Sequence, residues 1–365
     1  MTGQRIDSID IEGYLSIRSA HVELRDLNVL VGANGSGKSN FISALEILGR
    51  IADRELGWYV GRDRGGATQL MYGWAEDGQT RLGVDFGRIG YEAFLAGSSR
   101  DEFVFADERV WQELPAGERR ETSLGRGHQE THLDREAHPP GYGSAVRSVL
   151  NSLHGCRVYH FHDTAYNAPM KRFADDGDNL ALAPDAANLA PFLARMQAAT
   201  PIAYQRIVSA VQQVTPFFGD FVLESESPGR MRLRWRQLGH RQALQASALS
   251  DGTLRYACLT ALLLQPELPP VVVLDEPELG LHPYAVVQLA SMLQTASRRA
   301  QVIVATQSVT LTNQFELDDL VIVERRGGQS VFSRPDPDRL AAWLEDYALG
   351  DLWEKNLLGG TPGRE

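Results

Sequence analysis

The sequence predicts an α/β protein, a mixed sheet with flanking helices and antiparallel strands at the N-terminal end. Three observations predict it. An apolar run, Leu27 to Val31, leads into a glycine-rich turn and then into Asn40 to Leu48, whose apolar residues recur at helical spacing. A second apolar run, Val271 to Leu274, ends in Asp275-Glu276, and a third, Val302 to Ala305, ends in Thr306-Gln307-Ser308. Uninterrupted apolar runs of this kind read as parallel strands buried on both faces. Ahead of them all, Ile6 to Leu24 alternates in two patches, the pattern of an antiparallel strand pair.

The glycine-rich turn carries the most chemistry. Gly32-Ala33-Asn34-Gly35-Ser36-Gly37-Lys38-Ser39 matches the phosphate-binding pattern G-x-x-x-x-G-K-[ST] at every position, between a strand and a helix as that motif requires. Its glycines let the backbone wrap phosphates closely, and the N–H groups from Asn34 to Asn40 sit at the start of a helix, where dipoles favour anions. Lys38 adds a point charge for the β- and γ-phosphates, and Ser39 a hydroxyl for Mg²⁺. The motif implies a bound nucleoside triphosphate, with ATP and Mg²⁺ as the expected cofactors.

Composition narrows the setting. Of 365 residues, 43% are hydrophobic, enough for a sizeable core. No run is long and apolar enough to cross a bilayer, and the N-terminal residues lack the apolar core of a signal peptide, so a cytoplasmic protein without membrane contact is expected. The two cysteines, Cys156 and Cys258, lie far apart and suit a reducing compartment. A net charge of −11 argues against coating by nucleic acid through bulk charge but leaves room for a local basic groove.

The chain divides on this reading into 1–79 (phosphate loop), 80–244 (a variable α+β region), 245–335 (the second half of the site) and 336–365 (a C-terminal helix and tail). Gln69, in a polar glycine-bearing segment, is either a ligand of the nucleotide's Mg²⁺ and water or a surface residue. Short β-type runs fill Thr80 to Phe105, and Glu113 to Tyr142 reads as an exposed polar excursion in which His128 and His132 either share a helical face at a metal or are solvated. Ser144 to Leu153 reads as a helix and C-R-V-Y-H-F-H-D as a strand, with His160, His162 and Asp163 a metal set on paper only. Asn188 to Val214 reads as two helices broken near Thr200-Pro201. A hairpin with the loop Ser227-Pro228-Gly229 would set Phe221 opposite Trp235 and Leu223 opposite Leu233. It would also pair Glu226 with Arg230 and Glu224 with Arg232, leaving Arg234 and Arg236 without an acid. Those two arginines are either part of a solvated face or contacts for phosphate.

In the second half, Asp275 can hold Mg²⁺ and Glu276 can polarise the attacking water. Gln307 is placed to sense the γ-phosphate. Leu249 to Arg255 (L-S-D-G-T-L-R) opens a helix with Ser250 as the N-cap candidate, and the free N–H groups at such a start attract anions.

Taken together, G-A-N-G-S-G-K-S-N, A-L-S-D-G-T-L-R, V-V-V-L-D-E-P-E-L-G-L-H-P and V-A-T-Q-S resemble the ATPase head of the ABC class of P-loop NTPases, in its SMC/RecF-like branch. The resemblance covers about half the residues. It implies an ATP-dependent homodimer in which Ser250 and Gly252 contact the nucleotide of the other subunit and Glu278 to His282 line the interface. It also implies work on double-stranded DNA, in repair, recombination or defence, or else gating of a separate effector protein. Three departures stand out. Asp251 occupies the usual second glycine of the signature, Gln307 replaces the switch histidine of transporter ATPases, and no sustained heptads announce a coiled-coil arm.

Overall fold

The computed structural model of the chain describes residues 4–74, 78–115, 117–136, 143–344, 346–355 and 357–359. In chain order the elements are β1 (Ser8–Tyr14), β2 (Ile17–Glu23), β3 (Leu27–Val31), α1 (Lys38–Ala52), β4 (Gln79–Asp85), β5 (Ile89–Gly97), β6 (Phe103–Glu113), β7 (Arg119–Gly125), α2 (Gly143–His154) and β8 (Cys156–Tyr159). There follow α3 (Leu189–Ala199), α4 (Pro201–Val214), β9 (Phe218–Val222), β10 (Arg234–Gln237), β11 (Ala243–Gln245), α5 (Asp251–Leu264), β12 (Val271–Asp275) and α6 (Pro283–Ser297). The chain continues through β13 (Gln301–Thr306), β14 (Leu320–Arg326), β15 (Gln329–Ser333), α7 (Pro337–Leu344) and α8 (Leu349–Glu354). Residues 1–3, 75–77, 116, 137–142, 345, 356 and 360–365 of the segments read above lie outside the described residues.

Two compact units result, one of residues 1–158, 269–273 and 300–365, the other of residues 159–268 and 274–299. The first holds two sheets. One is antiparallel throughout, in the order β2-β1-β4-β5-β6-β7, so the strands after residue 79 continue the sheet begun by the N-terminal pair. The other runs β15-β14-β3-β13-β12-β8. In it β3 is parallel to both β13 and β14, and β15 turns back antiparallel on β14. All five residues of β3 and all six of β13 are buried, as uninterrupted apolar strands covered on both faces must be. A core that includes Ile9, Ile11, Phe41, Leu45, Leu82, Phe105, Val149 and Ile303 joins the strands to α1 and α2.

The second unit carries α3 to α6 and a small antiparallel sheet, β9-β10-β11. The helix break falls at Thr200, whose φ of −137° leaves the helical region just before Pro201 starts α4. Both cysteines are buried, and burial pushes the Cys156 thiol up to about 12, so neither thiol is reactive.

Several expectations need correction. The hairpin register is as read, with Phe221 opposite Trp235, but the turn has two residues, Pro228-Gly229, bridging Ser227 to Arg230, with Gly229 at φ +74°. Proline then left-handed glycine is the chemistry of a type II turn. Arg234 is not without an acid: its Nε lies 3.2 Å from Glu226 Oε1 and its Nη2 3.8 Å from Glu224 Oε2. Arg232 pairs with Glu226 at 2.8 Å rather than with Glu224, and that hydrogen bond holds the Glu226 carboxyl below its ordinary range. Arg236 is exposed and sits across from Asp220.

His128 and His132 are neither helical nor solvated. His128 stacks between Phe105 (centroids 4.6 Å apart) and His132 (3.9 Å), and its Nε2 lies 2.8 Å from the fully buried Glu108 carboxylate. Tyr91 Oη and the His132 amide also donate to Glu108, at 2.7 and 3.0 Å. The pair closes a buried polar network, and the polar stretch hides it because only the fold brings β6 and residues 128–132 together. His160 and His162 fall beyond the end of β8, their rings 6.4 Å apart, and the described residues contain no group of three side chains able to hold a metal.

Candidate nucleotide-binding site

The phosphate loop is fixed by its glycines and by its neighbours. Gly35 and Gly37 adopt φ values of +77° and +113°, open to glycine and strained for other residues. Gly32 packs so closely on the Val323 carbonyl that no side chain fits. α1 begins with Gly37 as its N-cap and no side-chain cap, which leaves the anion-attracting end of the helix to its backbone.

Lys38 is buried, and its Nζ donates to the carbonyls of Gly32 at 2.7 Å and Ala33 at 3.0 Å. An ammonium taken out of water needs such partners. Ser36 is also buried, and its Oγ has no hydrogen-bond partner among the described residues. An orphaned hydroxyl beside an ammonium and left-handed glycines fits a phosphate oxygen. Ser39 is exposed on the first turn of α1. Asn34 and Gly35 are exposed at the loop's tip.

Two residues that sequence reasoning missed brace this loop. Asn40 Nδ2 donates to Ser16 Oγ (2.6 Å), Ser16 Oγ meets Ser330 Oγ (2.6 Å), and Ser330 Oγ donates to the Ser36 carbonyl (2.6 Å). Since the Ser330 hydroxyl has one proton, Ser16 donates to Ser330. Ser16 and Ser330 stand 314 positions apart, so no local pattern could announce them. This bond occupies the side-chain amide of Asn40, and the backbone N–H of Asn40 lies in the first turn of α1.

Gln307 follows β13 directly. The parallel register sets Thr306 beside Val31, so Gln307 comes level with Gly32, the loop's first residue. Thr306 Oγ1 accepts from the Ser308 amide (2.9 Å), and Ser308 Oγ accepts from the Leu311 amide (3.2 Å), which fixes the turn after the strand. Gln69 is exposed on the turn Thr68–Leu70, which Asp101 holds through the Thr68 amide (2.8 Å) and hydroxyl (2.7 Å).

The second unit carries the carboxylates and the signature. Asp275 ends β12, and its Oδ1 is buried with no partner among the described residues. A bare carboxylate oxygen is the donor a hard divalent cation takes. Glu276 has φ +41°, a left-handed conformation that costs a non-glycine residue about 1–3 kcal/mol and clusters at functional sites. Asp275, Glu276, His162 and Arg255 line a cavity of about 10 Å³, the lower limit for one water. His162 therefore belongs with the carboxylates rather than with a metal pair.

Ser250 caps α5 as expected, accepting from the Thr253 amide at 3.2 Å, and the Thr253 hydroxyl links it to Thr215 at 3.1 Å. Asp251, the departure from the signature, turns to Lys171, 3.7 Å away, with its side chain 64% exposed. Arg255, one turn into α5, donates from Nη1 to the Leu279 carbonyl and from Nη2 to the His162 carbonyl, both at 2.8 Å. The signature helix is thereby tied to the segment that follows the two acids.

The family model described as "AAA domain, putative AbiEii toxin, Type IV TA system" matches residues 27–313 of the chain. No curated protein matches the sequence. Among solved structures, an Smc head bound to the C-winged helix domain of ScpA is similar with a TM-score of 0.56 at 18% identity, over 90% of this chain and 96% of that one. An Smc head domain with an extended coiled coil, bound to the C-terminal domain of ScpA and derived from Pyrococcus furiosus, gives 0.55 at 16% identity, over 93% and 98%. At these identities the likeness is one of fold: a P-loop NTPase of ABC type, mixed α/β, as the motifs implied.

Proposed function

Because this chain belongs to the family described as AAA domain, putative AbiEii toxin, Type IV TA system, we propose that it is an ATP-hydrolysing switch whose two heads close on each other around ATP. The observation that carries this reading is the phosphate loop itself, with Lys38 buried at its centre and the Ser36 hydroxyl left without a partner among the described residues. Bound Mg²⁺–ATP would supply the phosphoanhydride and the charge that polarises it. Lys38, with the N–H groups of Asn34, Gly35, Ser36, Gly37, Ser39 and Asn40, holds the phosphates. Ser39 and Asp275 hold Mg²⁺, Gln69 supports it, Glu276 orients the water, and Gln307 reads the γ-phosphate. Ser250 and Gly252 act on the nucleotide of the partner copy. Catalysis on this reading is positioning and charge neutralisation, with no covalent step.

The switch acts on double-stranded DNA in the cytoplasm, away from membranes; no described helix is long and apolar enough to cross one. A second reading, gating of an effector protein without DNA contact, draws support from the net charge of −11 and from the pairing of Arg234 with Glu226. The similar Smc heads are each bound to a ScpA domain, which fits a protein partner here too. One experiment separates the two: the ATPase rate with and without linear duplex DNA, with Lys38→Ala as the blank. A rate that Lys38→Ala leaves intact rejects the ATPase reading. Stimulation that fades with salt supports DNA, and indifference to DNA supports the effector.

A further inference from the structure

The arginine pair that the sequence offered for phosphate is half neutralised, since Arg234 is held by Glu226 and Glu224. A different part of the second unit is better built for an anion. A cleft of about 390 Å³ is lined by Lys171, Arg172, Arg230 and Arg232 together with the rings of Tyr166 and Phe173. Its size falls within the range of about 300–1,000 Å³ that ligand sites occupy. None of its described lining residues is Asp or Glu, in a chain whose net charge is −11.

The cations are arranged rather than scattered. Arg230 and Arg232 lie over the Phe173 ring, their guanidinium carbons 5.6 and 4.7 Å from its centroid. Arg172 donates its Nε–H to the Asn167 carbonyl at 2.6 Å, which orients the rest of the fork. Arg172 and Arg230 have no carboxylate partner among the described residues. Arg232 shares Glu226 with Arg234, and Lys171 lies 3.7 Å from Asp251. Tyr166, also on the cleft's lining, is 84% exposed, so its ring is open to solvent.

We propose that this cleft binds a single-stranded nucleic acid, with Arg172 and Arg230 on its phosphates and a base stacked on Tyr166. Planar guanidinium forks match phosphate bidentately. Cations interleaved with exposed aromatic rings are how single strands are held without sequence readout. A duplex hides the faces of its bases, and an acidic peptide would engage the arginines while leaving the ring unused. The cleft also adjoins the signature: Lys171, on its wall, reaches Asp251 beside the cap of α5.

The test is fluorescence anisotropy of a labelled twelve-residue oligo-dT, and of oligo-U, on the full chain without ATP. Wild type should bind in a salt-dependent way. Arg172→Glu/Arg230→Glu should weaken binding at least tenfold and, with two phosphates no longer neutralised, reduce the log–log salt slope by roughly 1.4. Tyr166→Leu should weaken it roughly fivefold or more, the loss of one stacked base. That side chain is exposed, so this variant keeps the question open to an answer even if the double variant unfolds. Binding of oligo-U alone or oligo-dT alone names RNA or DNA as the strand and supports the site. The proposal is overturned if wild type binds neither oligomer, if the variants bind as wild type does, if Arg172→Glu/Arg230→Glu weakens duplex binding as much as single-strand binding, or if polyglutamate competes as well as the oligonucleotide. Because ATP is absent, this failure is distinct from failure of the ATPase reading, which the Lys38→Ala rate decides.

Discussion

Gly252 and Gly280 meet backbone to backbone: even the Cβ of an alanine at Gly252 would overlap the Gly280 carbonyl oxygen. The contact sits at the first turn of the signature helix and at the segment that follows Asp275 and Glu276, and Arg255 fastens the same two pieces one turn further on. Backbone atoms do not step aside as a flexible side chain does. Gly252→Ala should therefore cost about 1–3 kcal/mol, the range for forced overpacking. Scanning calorimetry should show a midpoint lowered by a few degrees. An unchanged midpoint would mean that the two segments separate readily.

Gly37 makes a parallel case in the phosphate loop, with a different consequence. Its φ of +113° disfavours any side chain, and a Cβ there would collide with Ser330 Oγ, the group that holds the Ser36 carbonyl. Gly37→Ala should displace Ser330 and loosen the loop, so that binding of a fluorescent ATP analogue falls at least tenfold. Ser330→Gly removes the brace and takes away both side-chain atoms, Oγ and Cβ, that the new methyl would meet. The double variant Gly37→Ala/Ser330→Gly should therefore bind better than Gly37→Ala alone, and equal binding would show that the strained φ acts by itself.

How far the sequence reveals these sites depends on whether their residues are neighbours in the chain. Strand, loop and helix at Leu27–Ala52 are readable because the periodicity, the glycines and Lys38 fall within one short stretch. Ser250 as a cap is readable for the same reason. Ser16 and Ser330 are not, because their role exists only once β14 and β15 fold back beside β3. The His128–Glu108 network escapes sequence reading because a polar stretch resembles a solvated one until a buried carboxylate is placed under it. The hairpin's register is legible from its alternating faces. The ion pairs are not, since the Glu226 carboxylate reaches Arg232 and Arg234, further along the partner strand, while its backbone N–H meets the Arg230 carbonyl.

Asp101 links stability to pH at the turn that carries Gln69. Hydrogen bonds from the Thr68 hydroxyl and amide hold its carboxyl below the ordinary carboxylate range. A pKa depressed in the folded state adds stability that is present above the unfolded value of about 3.9 and is lost as pH falls through the depressed one. Asp101→Asn should thus lower the urea midpoint at pH 7, and the gap to wild type should close at the acid end. A gap that stays constant with pH would assign the loss to packing rather than to charge.

Glu276 is the residue on which the switch reading turns. Its left-handed φ stores strain, so Glu276→Gly should raise the thermal midpoint slightly, by the equivalent of about 1 kcal/mol, while ending hydrolysis. Glu276→Gln keeps the shape but cannot polarise water, so ATP should persist and hold two heads together. Light scattering should then give a doubled mass with ATP and a monomer with ADP. Ser250→Arg, a bulky cation where the partner's nucleotide is expected, should abolish the doubling in the Glu276→Gln background while nucleotide binding survives. A mass that stays monomeric at saturating ATP would discard the homodimer and call for a protein partner. Loss of nucleotide binding in Ser250→Arg would instead place Ser250 with the nucleotide of its own chain, or in the fold of α5 through Thr253 and Thr215.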